Sequence, residues 1–132
     1  MTVVDLADAA RLAREITAFE ALREVLRAEQ EALRRVDPDA LADLTPRKLA
    51  ALSVVDRMTR ERGDALRQRT VGSDATLVER WLGGAPADDV IAARTGTLIA
   101  LAQESFTLNG TNQRLAQAQQ RYFERAADAL RR

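Results

Sequence analysis

The chain of 132 residues contains no cysteine and no histidine. Without cysteine it can form no disulfide, no thiolate nucleophile and no cysteine metal site. Without histidine it lacks the usual general base near neutral pH and the commonest metal ligand. These absences disfavour most enzyme classes and most metal-binding domains, so we expect no cofactor, no metal site and no catalytic residue.

Aromatic residues and long apolar runs are also scarce. Aromatic side chains make up 4% of the chain, which leaves few to stack on a base or a sugar. No stretch approaches the ~20 apolar residues of a membrane span, and no basic start with an apolar run marks a secretory signal. We therefore expect a cytoplasmic protein with no membrane span and no nucleic-acid partner.

What is present is typical of one folded helical domain over residues 1–132. Apolar residues make up 46%, and the 20 basic side chains balance the 20 acidic ones. The arginine-rich stretch from Arg57 to Arg69 favours a solvated helix face over a phosphate-binding surface, because Asp56 and Arg60 are spaced to pair along a helix. Asp88 and Asp89 adjoin a predicted helix start, where acidic residues favour the helix dipole.

Seven-residue spacing predicts a first helix over residues 3–36. Apolar residues recur at this interval with no intervening glycine or proline, namely Leu12, Phe19, Leu26 and Leu33. Asp37 and Pro38 end this helix and start the next, because aspartate caps a helix and proline suits its first position. We expect a short helix over residues 38–44 in this place.

Thr45 and Pro46 repeat the signal for a helix start, which predicts a second long helix over residues 46–69. Its predicted buried face consists of Leu49, Leu52, Val55, Met58 and Leu66. A glycine-rich break then separates a short helix over residues 74–82 from the last segment. Trp81 is expected to anchor this short helix to the rest of the protein, with an exposed binding role as the alternative.

The third long helix is predicted over residues 87–131. One line of positions in its heptad pattern is mostly apolar and holds Leu101, Leu108, Leu115, Tyr122 and Ala129. The companion line is largely polar and holds Leu98, Ser105, Asn112, Gln119 and Ala126. Polar residues in such a seam fix the register or the partner at a cost in stability. A kink at Gly96 or at Gly110 remains open.

The predicted fold is all-α, an antiparallel up-down-up bundle of three long helices with a short helical insertion between the second and the third. The second helix is the shortest, so its neighbours cannot bury their whole apolar stripes against it. The seam around Leu108, Leu115, Tyr122 and Phe123 should then face the first helix, a second copy of the protein or a helix from a partner. For Tyr122 and Phe123, core packing and partner contact both remain open.

Three stretches are similar to segments of one known family. FEALREVLRAEQEAL, Phe19 to Leu33, matches an acidic-polar helix, and DPDALADLTPRKLAALSVVDRMTRER places Lys48 at the start of the second helix. LNGTNQRLAQAQQ, Leu108 to Gln120, is similar to a Leu-Asn-x-x-Asn-Gly segment. The Trp81-Leu82 pair also falls where this family often has a similar pair. On these features, which are distributed from residue 19 to residue 120, the chain resembles the bacterial flagellar export chaperones of the FlgN type.

The resemblance implies a non-enzymatic cytoplasmic chaperone. It implies that the last helix binds the amphipathic C-terminal helices of hook-associated proteins and brings them to the type III export apparatus, whose gate components are further partners. The partner-binding residues that it implies are Leu108, Asn112, Leu115, Gln119, Tyr122 and Phe123.

Two other interpretations remain open. A self-associating helical bundle, a structural or adaptor protein, would cover the long seam with a second copy in a homodimer. An enzyme with a carboxylate site that the motifs do not reveal is the weakest interpretation, because acid–base catalysis needs two carboxylates whose pKa values are pushed apart.

Overall fold

The computed structural model of the protein describes residues 3–69 and 89–132, and within these ranges it contains helices and no strand. The helices are α1 (Val3–Arg35), α2 (Pro38–Arg69) and α3 (Asp89–Arg131). The prediction of an all-helical protein is therefore confirmed for the described residues. The predicted short helix over residues 74–82, with Trp81, lies outside them.

A two-residue turn joins α1 to α2. The Val36 N–H donates to the Leu33 carbonyl at 3.1 Å and the Asp37 N–H donates to the Ala32 carbonyl at 3.0 Å, which is the Schellman pattern. The predicted cap of α2 is present, because an Asp37 carboxylate oxygen accepts the Ala40 N–H at 3.1 Å. The turn closes so tightly that α2 must fold back along α1.

Val36 adopts a left-handed backbone conformation in this turn, with φ of 53°. Glycine is the usual residue at this position of a Schellman motif. A β-branched residue there costs about 1–2 kcal/mol relative to a right-handed conformation. The first helix accordingly ends at Arg35, one residue before the predicted end at residue 36.

A single helix occupies residues 38–69, where the sequence predicts two pieces, 38–44 and 46–69. Pro46 lies inside this helix. Leu44 just before it is buried against Val25 and Ala32 of α1, and Lys48 just after it pairs with Glu29. Contacts with α1 on both sides of the proline hold the helix together, although proline removes one helical hydrogen bond.

The first helix lies in the middle of the described structure. Arg62 of α2 pairs with Glu15 and Lys48 with Glu29, so α2 runs antiparallel to α1. α3 follows α1 in the same direction, because its residues meet those of α1 in increasing order, from Arg94 with Ala9 to Gln119 with Leu33. Among the described residues, α2 and α3 make almost no direct contact. The up-down-up bundle with a short insertion remains a prediction.

The core follows the predicted stripe of α1. The buried apolar residues of α1 that are larger than alanine are Leu12, Leu22, Val25, Leu26 and Leu33. Ile16 and Phe19 pack against the core cluster around Leu12. On α2 the predicted face is wrong at Leu49, whose exposed fraction is 62%, and Leu44 is buried in its place. The reason is that Leu44 and Lys48 define the side of α2 that meets α1, and Leu49 lies about 100° around the helix from Lys48. Leu66 lies among side chains that the structure does not describe.

Candidate functional site

The seam of α3 changes from buried to exposed along the helix. Its first half packs against α1, where Leu98, Leu101, Ser105 and Asn112 are buried. Leu108, Leu115 and Gln119 are half-buried, and the later seam positions Tyr122, Ala126 and Ala129 are exposed. α3 passes through Gly96 and Gly110 without a break. One continuous helix therefore carries both a packed and an open part of the same face.

A polar junction joins all three helices at the level of Asn112. The Asn112 amide donates to the Leu26 carbonyl at 2.9 Å and to a Glu29 carboxylate oxygen at 2.8 Å. The Lys48 ammonium donates to both oxygens of Glu29 at 3.1 Å. Asn112 is exposed by only 1%. The junction fixes the register of α3 on α1, which is the role that a polar residue commonly has in an apolar seam.

Gln119 makes the last hydrogen bond between α3 and α1 in the described structure. Its side-chain amide donates to the Leu33 carbonyl in the final turn of α1. α1 ends two residues later, whereas α3 continues to Arg131. Residues 120–131 make up about 18 Å of helix, most of which lies beyond the end of α1. We call these residues the α3 tail.

The α3 tail is amphipathic, and no other described helix covers its apolar face. Tyr122, Phe123 and Leu130 are exposed by 67%, 51% and 89%. The rings of Tyr122 and Phe123 meet edge to face, with centroids 5.5 Å apart. At helical spacing these residues fall on the same side as the buried seam. Exposed charged residues occupy the opposite side, namely Arg121, Glu124, Arg125, Asp128 and Arg131.

The structure divides the predicted site into two parts. Asn112 and Gln119 bond to α1, and Leu108 and Leu115 are half-buried on the same seam. Tyr122 and Phe123 lie beyond the end of α1. The structure thus separates residues that seat α3 from residues that are open to another molecule.

The described residues offer little sign of a catalytic or metal centre. Within residues 3–69 and 89–132, no three acidic side chains cluster closely enough to hold a metal ion. A groove between α1 and α3, of about 420 Å³, contains Arg23 and Glu104. These residues pair with each other at 3.4 Å, and Arg27 also binds Glu104, at 2.7 Å. We assign the groove a structural role.

Glu15 is the buried acid of the α1–α2 interface. Its exposed fraction is 2%, and one carboxylate oxygen accepts from the Arg62 guanidinium at 3.1 Å. Its second oxygen has no hydrogen-bond partner among the described residues. Burial raises the pKa of Glu15, and the charge of Arg62 opposes this shift only in part. The pair joins two helices far from the α3 tail.

Comparison with protein families identifies the chain. The family model described as FlgN protein matches residues 9–132, which is nearly the whole chain. The chain belongs to the FlgN family. This membership supports a general role as a flagellar export chaperone. No curated protein and no solved structure matches the chain.

In this FlgN-family protein, the amphipathic end of α3, which no element within residues 3–69 covers, is the candidate site. No helix of the described residues is both long and apolar enough to cross a membrane.

The predicted partner-binding residues include Tyr122 and Phe123 but not Leu130. Leu130 follows Phe123 by seven residues, so the heptad spacing contains the signal for it. Reasoning from the sequence also missed Lys48–Glu29 and Arg62–Glu15, because pairs between helices leave no mark in local spacing.

Proposed function

We propose that this FlgN-family protein binds the amphipathic C-terminal helices of hook-associated proteins in the cytoplasm and brings them to the type III export apparatus. The observation that carries the proposal is the uncovered apolar face of the α3 tail. Tyr122 and Phe123 lie on this face, and Leu130 extends it toward the C-terminus. Apolar surface of this kind, bordered by charged residues, is typical of a protein-binding site.

A helix is the partner that the geometry favours. The apolar face of the α3 tail is continuous with the seam that α1 already covers up to Gln119. Beyond the end of α1, a second helix could pack on the same face of α3. The exposed length corresponds to about three helical turns. An amphipathic partner helix would pack its apolar face on this line as in a coiled coil and leave its polar face in water.

The six residues of the predicted site then have two roles. Tyr122 and Phe123 contact the partner directly. Leu108, Asn112, Leu115 and Gln119 seat α3 on α1, and they could reach a partner only if α3 separated from α1. The proposed role also includes binding to export-gate components and protection of the cargo from premature assembly.

The test is a pair of matched substitutions on α3. Tyr122→Asp places a charge in the apolar face of the α3 tail, whereas Phe106→Asp places the same charge at a residue that is exposed by 83% on the opposite side. We expect Tyr122→Asp to weaken binding of a synthetic C-terminal helix peptide from a hook-associated protein of the same bacterium by at least tenfold. Phe106→Asp should bind as the parent does. Titration calorimetry measures both affinities, and circular dichroism checks that both variants remain helical.

Equal affinities of the parent and Tyr122→Asp would show that the α3 tail is not the binding surface. Leu115→Asp is a less selective test, because Leu115 is half-buried and a charge there also disturbs the packing of α3 on α1.

Self-association is the second candidate, and the same exposed face supports it. A second copy could cover Tyr122, Phe123 and Leu130 with its own α3 tail. Light scattering at micromolar concentration would then show a homodimer that Tyr122→Asp converts to a monomer. A parent protein that is monomeric under these conditions removes this alternative.

A further inference from the structure

Val36 is the most unusual backbone position of the described structure. It is the one described residue other than glycine with positive φ, at 53°, and its side chain is 48% exposed. Glycine or asparagine would adopt this conformation with less strain. Strained residues persist where the surrounding structure enforces them, and they cluster at functional sites. A valine at this position therefore indicates that its side chain has a use that glycine could not provide.

Val36 lies at the level of α3 where the α3 tail begins. Gln119 donates to the Leu33 carbonyl, so this turn of α3 lies level with the last turn of α1. The next residues on the same face of α3 are Tyr122 and Phe123. On α1 the next residue beyond the helix is Val36. The register therefore places Val36, whose side chain is exposed, at the level where the α3 tail begins.

The backbone of this turn is held by its own hydrogen bonds and does not depend on the valine side chain. Val36 and Asp37 donate their N–H groups to carbonyls of α1, and the Asp37 side chain caps α2. The turn therefore holds the backbone of Val36 in one conformation. A β-branched side chain on such a backbone has few rotamers to lose when a partner covers it.

We propose that Val36 is a partner-contact residue, which forms the base of the helix-binding surface while the α3 tail forms its wall. The occupant is the amphipathic helix of the proposed function, on which this inference rests. That helix would continue the line of α1 and would cover Val36 with the apolar residues of its nearest turn. The surface is then discontinuous in sequence, with Val36 from the turn between α1 and α2 and Tyr122 and Phe123 from α3.

The test exploits two effects of opposite sign. Val36→Gly and Val36→Asn relieve the backbone strain, so the melting temperature should rise by a few degrees. Both variants remove the apolar contact, so the dissociation constant for the hook-associated helix peptide should increase about three- to tenfold. The matched control is Leu49→Ala, which truncates an apolar side chain that is 62% exposed on α2. Leu49→Ala should bind the peptide as the parent does.

The outcomes separate the inference from the proposed function. A parent protein that does not bind the peptide overturns both. Binding by the parent with unchanged affinity in Val36→Gly and Val36→Asn overturns only the role of Val36. If the two variants weaken a homodimer and leave the peptide affinity unchanged, the surface belongs to a second copy and the inference is wrong.

Discussion

At the scale of single residues, side chains of α3 donate hydrogen bonds to backbone carbonyls that are distributed from the start to the end of α1. Arg94 donates to the Ala9 carbonyl at 2.6 Å, Asn112 donates to that of Leu26 at 2.9 Å, and Gln119 binds a carbonyl in the last turn of α1. Sliding α3 by one turn would break all of these bonds at once. Polar residues therefore define where α3 stops following α1, and hence where the α3 tail begins.

The buried acid Glu15 has a different effect, because its environment disfavours its charged form. Burial raises the pKa of its carboxyl group above the ordinary value, and Arg62 offsets this only in part. Between the ordinary pKa and the raised one, the folded protein binds more protons than the unfolded chain. The contribution of Glu15 to stability is therefore full below the ordinary carboxyl pKa and is lost as the pH rises through the raised pKa.

The prediction for Glu15 is a pH-dependent gain in the variant Glu15→Gln. Glutamine keeps an oxygen that can accept from Arg62 but carries no charge to bury. We expect the free energy of unfolding of Glu15→Gln, relative to the parent, to increase from pH 4 to pH 7. Urea unfolding at the two pH values measures this difference. The exposed control Glu20→Gln should show a much smaller change, and an equal gap between Glu15→Gln and the parent at both pH values would contradict the prediction.

Residue pairs illustrate what local sequence predicts. The ion pair predicted between Asp56 and Arg60 is present, at 2.8 Å. Pairs at helical spacing also form between Glu24 and Arg27 at 3.4 Å and between Glu31 and Arg35 at 3.6 Å. Spacing along one helix fixes such distances. The pair of Lys48 and Glu29 depends on how two helices are packed, so no local pattern could predict it.

At the scale of elements, the largest difference between prediction and structure is the unbroken α2. Thr45 and Pro46 carry the local signal of a helix start. In the structure the Thr45 hydroxyl instead donates to the Leu41 carbonyl at 2.8 Å, which is a bond within the helix. Tertiary contacts of Leu44 and Lys48 with α1 outweigh the local preference. As a result α2 nearly equals α1 in length, and only α3 is longer than its neighbours.

The prediction for this element is that Pro46→Ala stabilises the protein. Alanine restores the backbone N–H that proline lacks and removes the steric conflict with the preceding turn. We expect the free energy of unfolding to rise by about 1–3 kcal/mol. Thermal or urea unfolding measures this free energy. The control is Arg47→Ala at the neighbouring exposed residue, which should change the free energy of unfolding by less than about 0.5 kcal/mol. A loss of stability in Pro46→Ala would instead support a helix start at this proline.

At the scale of the whole molecule, the buried core and the proposed binding surface reside in different parts of the chain. The buried residues of α3 end at Asn112, and the residues from Gln120 onward are exposed except for the half-buried Ala127. Segments with few buried contacts contribute little to global stability. On the proposed function, the α3 tail would therefore bind and release cargo without unfolding of the core.

The corresponding prediction concerns a chain that ends after Arg121. Removal of residues 122–132 should lower the free energy of unfolding by less than about 1 kcal/mol, because almost no buried surface is lost. The same truncation should abolish binding of the hook-associated helix peptide. Thermal unfolding and titration calorimetry on one preparation measure the two effects. Cooperative unfolding at a much lower temperature would show that the α3 tail is part of the fold.

Local pattern in the sequence determined the helical class, the stripe of α1, the cap at Asp37 and the amphipathic character of the last helix, because these depend on neighbours a few residues apart. It also determined the likeness to the FlgN family, through segments that follow the same helices. Tertiary structure alone decided that α2 continues through Pro46, that Asn112 is enclosed at a junction of three helices and that Leu49 is exposed. These features depend on contacts between helices, whose energies exceed local preferences and leave no periodic trace in the sequence.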